Sequence, residues 1–218
     1  MLTLALLLLA QVQRSAVESI TVEFQALGPV QVQASSGAKH AASPDDLAEP
    51  GSVALRDSRG RILTRATFET AKVWPNAPRV RSFNVAGLTD PLVAALSREV
   101  GGSDHHFELS LLGCAASGCR ELLPAHIFAS LQDSVCIGPF GPNHAPLLLE
   151  VSFVWGQEAH YEPHRYRVTE YRWDGAAFQR YQTRESQHAY LSWREAAREF
   201  GFTCTLNIVA ALSPDLRE

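Results

Sequence analysis

Apolar side chains recur at every second position through much of this chain. Residues 52–68 show the pattern most clearly, because after a turn of sequence DSRG the period-two positions are Ile62, Thr64, Ala66 and Phe68. Arginines occupy the intervening positions Arg61 and Arg65. Successive side chains of a strand point to opposite faces, so this alternation predicts a hairpin with one buried face.

Two further segments predict strands by the same pattern. In residues 91–113, an apolar run reaches a GGSD turn and continues into a strand that ends in FELSLLG. In residues 146–156, one face of a single strand carries Leu149, Val151, Phe153 and Trp155. Gly or Pro bounds each run, which is typical of strand ends.

The Asp174-Gly175 pair inside residues 164–183 is the strongest hairpin signal. A two-residue turn with positive φ favours Asp-Gly. Centring the turn there predicts three cross-strand pairs: Trp173 with Ala176, Tyr171 with Phe178, and Val168 with Tyr181. The apolar positions change parity partway along both strands, which predicts a strong twist or a bulge. We therefore expect a ribbon covered from opposite sides at its two ends, with its aromatic residues in the core.

The C-terminal segment predicts one short helix. Ser192 is followed three residues later by Glu195, which is a capping box, and Gly201 is a typical C-terminal stop. Residues 202–212 predict a closing strand, and residues 34–51, which are small and polar, predict a long mobile loop. The whole pattern predicts a mainly β single domain over residues 17–218, with antiparallel meanders that form an open blade-like stack or a β-sandwich.

A weak internal repeat favours the stack. The sequences DPLV at 90–93 and APLL at 145–148 each begin a strand, a loop and a strand. With the YRWDG hairpin, residues 52–183 resemble degenerate β-propeller blades of the FG-GAP/VCBS type, which occur in exported bacterial proteins. The sequence contains no Asp-x-Asp-x-Asp-Gly loop, so the calcium ligands of that family have no counterpart here.

Residues 1–16 predict a signal peptide. The run from Leu2 to Ala10 is apolar, has the length of a signal-peptide core and is too short to span a bilayer. The alternative is an apolar strand or helix in a cytoplasmic protein. No other stretch is long and apolar enough to cross a membrane, so we expect a periplasmic or secreted protein without a membrane span.

Composition and charge narrow the class of partner. The hydrophobic fraction of 46% is typical of a globular protein, and the net charge is −4. Arginines are scattered singly, whereas a nucleic-acid-binding surface needs a basic patch. The sequence therefore predicts no nucleic-acid partner. The expected partner is a protein or a small ligand of unknown identity.

The four cysteines predict disulfide bonds in an exported chain. They allow three connectivities. Cys114 and Cys119 flank a short loop of small residues and are expected within bridging distance, which leaves Cys136 to pair with Cys204 over a long loop. The alternative is a zinc site, which would usually need a second close pair of cysteines.

Histidines are the candidates for chemistry. His160 and His164 have a spacing that lets two histidines share a metal ion on a helix, but Pro163 favours a loop. His105 and His106 are consecutive at a strand entry, where their side chains diverge and do not form a catalytic triad. The sequence therefore predicts no catalytic residue, no metal site and no cofactor.

Two functions follow from these observations. The first is a non-catalytic exported module that binds a partner or ligand in the cell envelope. The second is a small hydrolase or metal-dependent enzyme that uses the loop histidines. Residues 137–146 and 157–164 are the predicted places for a binding surface, because loops carry function more often than frameworks do.

Overall fold

The computed structural model describes residues 17–36, 51–69, 77–98, 106–130, 132–139, 141, 145–159 and 161–213. Within these ranges the chain forms fourteen strands and two short helices, which confirms the mainly β prediction. The predicted signal peptide and most of the predicted loop at 34–51 lie outside the described residues. The loop prediction is wrong at its start, because Ala34 and Ser35 belong to a strand and pair with Val53 and Ser52.

The first four strands form an antiparallel meander, which we call the N-terminal sheet. Its order is β1-β2-β3-β4. The strands are β1 (Val17–Phe24), β2 (Gly28–Ser35), β3 (Ser52–Arg56) and β4 (Ile62–Thr67). The predicted hairpin at 52–68 is the β3–β4 pair. Ala66 and Phe68 are buried as the period-two pattern predicts, whereas Ile62 at the start of β4 is exposed.

The next five strands form the central sheet. They are β5 (Arg79–Phe83), β6 (Leu92–Arg98), β7 (His106–Ala115), β8 (Gly118–Glu121) and β9 (Ile127–Ser130). The order is β5-β6-β7-β8, and β9 also pairs with β7. The predicted antiparallel pair at 91–113 is β6–β7.

The remaining strands form the C-terminal sheet, in the order β13-β12-β11-β10-β14. They are β10 (Ser134–Gly138), β11 (Leu147–Phe153), β12 (Tyr166–Trp173), β13 (Phe178–Glu185) and β14 (Leu206–Asn207). Helix α1 (Trp193–Glu199) and helix α2 (Ile208–Leu212) belong to the same C-terminal part. Leu149, Val151 and Phe153 share a buried face of β11 as predicted, whereas Trp155 lies beyond the strand and is 51% exposed.

Three apolar cores show how the sheets are layered. One core joins the N-terminal sheet to the central sheet, for example through Phe24, Leu55 and Leu112. A second joins the opposite face of the central sheet to the C-terminal sheet, through Phe107, Leu148 and Phe178. The third lies between the far face of the C-terminal sheet and α1, and contains Tyr166, Val168 and Ala196. The central sheet is therefore buried on both faces.

The β12–β13 hairpin differs in register along its whole length from the one that the sequence predicts, and none of the three predicted pairs is present. Its loop has four residues, and Trp173 pairs with Phe178, Tyr171 with Arg180 and Val168 with Arg184. The Asp174 carboxylate accepts hydrogen bonds from the backbone N–H groups of Ala176 and Ala177, at 2.8 and 2.9 Å. This side-chain turn widens the loop, which accounts for the error.

The predicted bulge and the change of side in this ribbon are confirmed. The register shifts between Glu170 and Tyr171. Tyr171 then packs in the core against the central sheet, while Val168 packs in the core beside α1. Tyr181 departs from the prediction, because it is 54% exposed on the outer strand.

Helix α1 begins and ends where the sequence predicts a helix. Ser192 caps α1 by accepting a hydrogen bond from the Glu195 N–H, and Gly201 follows its end with a φ of 79°. The predicted closing strand at 202–212 is wrong over most of its length. Only Leu206–Asn207 is a strand, and Asn207 then caps α2 by accepting a hydrogen bond from the Ala210 N–H.

The structure contains the cysteine pairing that the spacing favours. Cys114 is bonded to Cys119 across the β7–β8 hairpin, and Cys136 on β10 is bonded to Cys204. The second bond closes a far longer stretch, with a sequence separation of 68 against 5. It fixes the segment that follows α1 to the C-terminal sheet.

The two disulfides are predicted to contribute unequally to stability. Loop-closure entropy predicts that the double variant Cys136→Ala/Cys204→Ala loses about 4 kcal/mol of unfolding free energy. The matched variant Cys114→Ala/Cys119→Ala should lose about 2 kcal/mol, because its loop is short. Denaturant unfolding of the oxidised proteins measures both losses. An equal loss, or a greater loss for the short loop, would contradict the prediction.

Candidate binding groove

A concave site lies at one end of the sheets. Three connections meet there: the segment 87–92, the β7–β8 hairpin and the β12–β13 hairpin. The β1–β2 turn closes one side with Gln25 and Ala26. The cavity has a volume of about 470 Å³, which is within the range of small-ligand sites. We call this site the end groove.

The β7–β8 hairpin forms one wall of the end groove. Its turn needs glycine at position 118, where φ is 119°, and the Cys114–Cys119 bond ties the two strands beside the turn. Gly113 lets the wall pack closely, because a Cβ at this position would lie 2.8 Å from Cδ1 of Leu122. The wall is therefore a rigid hairpin with a surface of small residues.

Trp173 provides an aromatic surface in the opposite wall. Its ring packs on the fully buried Phe178, with ring centroids 5.1 Å apart. The Asp174 carboxylate holds the adjoining turn, and its hydrogen bonds lower the pKa of Asp174 below its usual value. The contact with Phe178 and the hydrogen-bonded turn at Asp174 together fix the position of the half-buried Trp173 ring in the groove.

Polar groups of both charges line the rim. The Asp90 carboxylate accepts a hydrogen bond of 2.5 Å from the Gln25 N–H, which joins the β1–β2 turn to the segment before β6. The Arg120 guanidinium donates to the Ser117 hydroxyl at 2.9 Å. A groove with one carboxylate, one guanidinium and an aromatic wall suits a polar ligand without a large net charge.

A buried polar cluster lies elsewhere on the central sheet. The side chain of His126 contacts two carboxylates, through Nδ1 to Glu108 and through Nε2 to Glu121 at 2.9 Å. The Ser110 hydroxyl donates to the same Glu121 oxygen at 3.2 Å. Glu108 is fully buried, and the His126 ring packs against Phe68 of the N-terminal sheet.

This cluster is arranged for charge compensation. Its carboxylates, first of all Glu108, raise the pKa of His126 above the usual value, against an opposing effect of burial. A protonated His126 compensates the buried charge of Glu108. Both ring nitrogens already contact carboxylates, so neither has the free position that a general base needs.

The cluster was not predicted, although the sequence contains a signal for it. Glu108 stands between two apolar residues in a strand whose remaining positions are mostly apolar. A charged residue in such a strand is buried and needs a partner. The partner Glu121 ends β8 and the partner His126 lies in the connection to β9, and the sequence alone does not show that contact.

The predicted loop histidines divide between described and undescribed residues. His106 is exposed at the start of β7, and His164 is 2% exposed, with Nε2 bonded to the Ala159 carbonyl at 2.9 Å. His105 and His160 lie outside the described residues. Among the residues that the structure describes, no group of three or more His, Cys, Asp or Glu side chains could hold a metal ion.

Within the described parts of the two loops predicted to bear a binding surface, 137–146 and 157–164, no residue lines the end groove. Within 157–164, Tyr161 is 83% exposed. The sequence identified both hairpins of the groove as turns, but gave no indication that they meet.

Comparisons with known proteins do not identify a family. No protein-family model matches the chain, and the search of curated proteins gives no match. One solved structure, the crystal structure of CarG, has 14% sequence identity and a TM-score of 0.35, over 56% of this chain and 90% of that chain. A TM-score of this size is too low to show a shared fold.

The cluster around His126 predicts a pH-dependent stability. The pKa of His126 is raised in the folded protein. Its contribution to the free energy of unfolding is therefore complete below about pH 6.5, the pKa of an unfolded histidine, and is lost as pH rises through the folded pKa. In mild acid, the variant His126→Gln should therefore have a lower free energy of unfolding than the unmodified protein. The difference should narrow as pH rises.

Unfolding free energies measured between mildly acidic and mildly alkaline pH test this dependence. His188→Gln is the matched control, because His188 is exposed. It should follow the pH profile of the unmodified protein. A difference between His126→Gln and the unmodified protein that stays constant, or widens as pH rises, would contradict the assignment.

Proposed function

We propose that this protein is an exported, non-catalytic module that binds a ligand in its end groove. The observation that carries the proposal is the groove itself. Four separate connections converge on a cavity of about 470 Å³, with an aromatic surface and polar groups on its rim. Cavities of this kind are the default sites for ligands in proteins of unknown function.

The construction of the walls supports binding. A disulfide fixes one hairpin, a hydrogen-bonded carboxylate fixes the other, and a contact between Gln25 and Asp90 fixes the rim. A preformed site loses little conformational entropy when a ligand binds. The end groove therefore has the rigidity of a binding site.

The cysteines support an oxidising compartment for this function. All four are paired in the structure, and two intramolecular disulfides are typical of secreted and periplasmic proteins. In the described ranges, no helix is both long and apolar enough to cross a membrane. The periplasm or the extracellular space is the compartment that we propose.

Fragment binding followed by NMR tests the end groove. We expect polar aromatic or heterocyclic fragments to shift the backbone signals of residues 113–120 and 173–177. The variant Ala176→Trp places a large side chain at the groove and should abolish these shifts. Ala189→Trp makes the same change at an exposed alanine outside the groove and should preserve them.

Two results would overturn the proposal. The first is a fragment screen whose hits all map to other surfaces. The second is equal binding by Ala176→Trp and Ala189→Trp. Circular dichroism of each variant establishes that both are folded before binding is compared.

A further inference from the structure

A second cavity lies on the C-terminal sheet beside the end of α1. Its volume is about 390 Å³, and it shares no lining residue with the end groove. The apolar walls are Leu147 and Leu149 from β11, and Phe200 and Phe202 from the segment that follows α1. One buried carboxylate, that of Glu170, lines the same space.

The carboxylate of Glu170 is buried, and both of its hydrogen bonds from described residues are accepted by one oxygen. The residue is only 6% exposed. Its Oε1 accepts from Gln182 Nε2 and from Arg184 Nη2, both at 2.7 Å. Among the described residues, none donates a hydrogen bond to Oε2, and Glu170 is one of the residues that line the cavity. A buried carboxylate oxygen without a donor is a strong acceptor for a ligand ammonium group.

Arg184 provides the complementary charge. One nitrogen is bonded to Glu170, and its guanidinium carbon lies 5.1 Å from the centre of the Phe200 ring. These contacts hold the group at the mouth of the cavity, while 44% of the side chain stays exposed. A guanidinium has five N–H donors, so further donors are left for a ligand carboxylate.

The two charged groups are therefore adjacent, and an apolar space begins beside them. In an α-amino acid, a single carbon joins the ammonium group, the carboxylate and the side chain. A ligand of that shape can place its ammonium on Glu170 Oε2, its carboxylate on Arg184 and an apolar side chain among the leucines and phenylalanines. We propose that this cavity binds a free apolar α-amino acid.

The local backbone makes the cavity a built feature of the fold. After α1, the N–H groups of Gly201 and Phe202 donate to the carbonyls of Arg198 and Ala197, at 3.0 and 3.2 Å. This C-terminal motif sets the direction in which Phe202 leaves the helix. The bond between Cys136 and Cys204 then fixes the same segment to β10. The aromatic wall is held from both ends.

Isothermal titration calorimetry with L-leucine and L-phenylalanine tests the proposal on the full, oxidised protein. We expect saturable binding of at least one of them. N-acetyl-L-phenylalanine, which lacks the ammonium group, and phenethylamine, which lacks the carboxylate, should each bind at least about tenfold more weakly than L-phenylalanine.

Two variants that each remove one charge assign the contacts. Glu170→Gln and Arg184→Gln should each weaken binding at least about tenfold. Arg167→Gln is the matched control, because it removes an arginine–glutamate pair of the same 2.7 Å length from an exposed part of the same ribbon. Its affinity should equal that of the unmodified protein.

The ligand series on the unmodified protein keeps the test independent of how well the variants fold. No heat change with either amino acid at millimolar concentration would overturn the proposal, and so would equal affinity for L-phenylalanine and both analogues. If Glu170→Gln binds the amino acid as tightly as the unmodified protein does, the proposal would also be overturned. The result is separate from that for the end groove, since the two cavities have no residue in common.

Discussion

Burial of the central sheet on both faces is the constraint on which the rest of the structure depends. Every residue of β6 from Leu92 to Ser97 is buried, and so is every residue of β7 from Phe107 to Cys114. One set of side chains packs against the N-terminal sheet and the alternate set against the C-terminal sheet. Neither outer sheet can be removed without exposing an apolar face of the strands in the middle.

This burial also explains where the polar exceptions and the cavities lie. Glu108 is a carboxylate in a doubly buried strand, so it needs the charge of His126, and that requirement ties β7 to the connection before β9. The stacked sheets leave their connections at the edges, where turns from all three layers meet and form the end groove. The far face of the C-terminal sheet needs a cover of its own, and α1 with its following segment supplies it.

Local signals in the sequence predicted several of the elements, whereas contacts between distant residues could not be predicted from them. The hairpin at 52–68, the β6–β7 pair and the helix N-cap at Ser192 depend on neighbouring residues, and each is present. The closing strand failed because Ile208 and Val209 favour strands by composition, whereas the cap at Asn207 begins a helix. The three-layer order, the His126 cluster and both cavities arise from packing between distant segments, which periodicity does not encode.

Native-state amide hydrogen exchange tests the doubly buried central sheet most directly. The account predicts that the slowest-exchanging amides are those of β6 and β7, at 92–97 and 107–114, because their opening requires both apolar interfaces to separate. Amides on β13, at the edge of the C-terminal sheet, should exchange faster. Exchange in β6 and β7 that is as fast as in β13 would contradict the account.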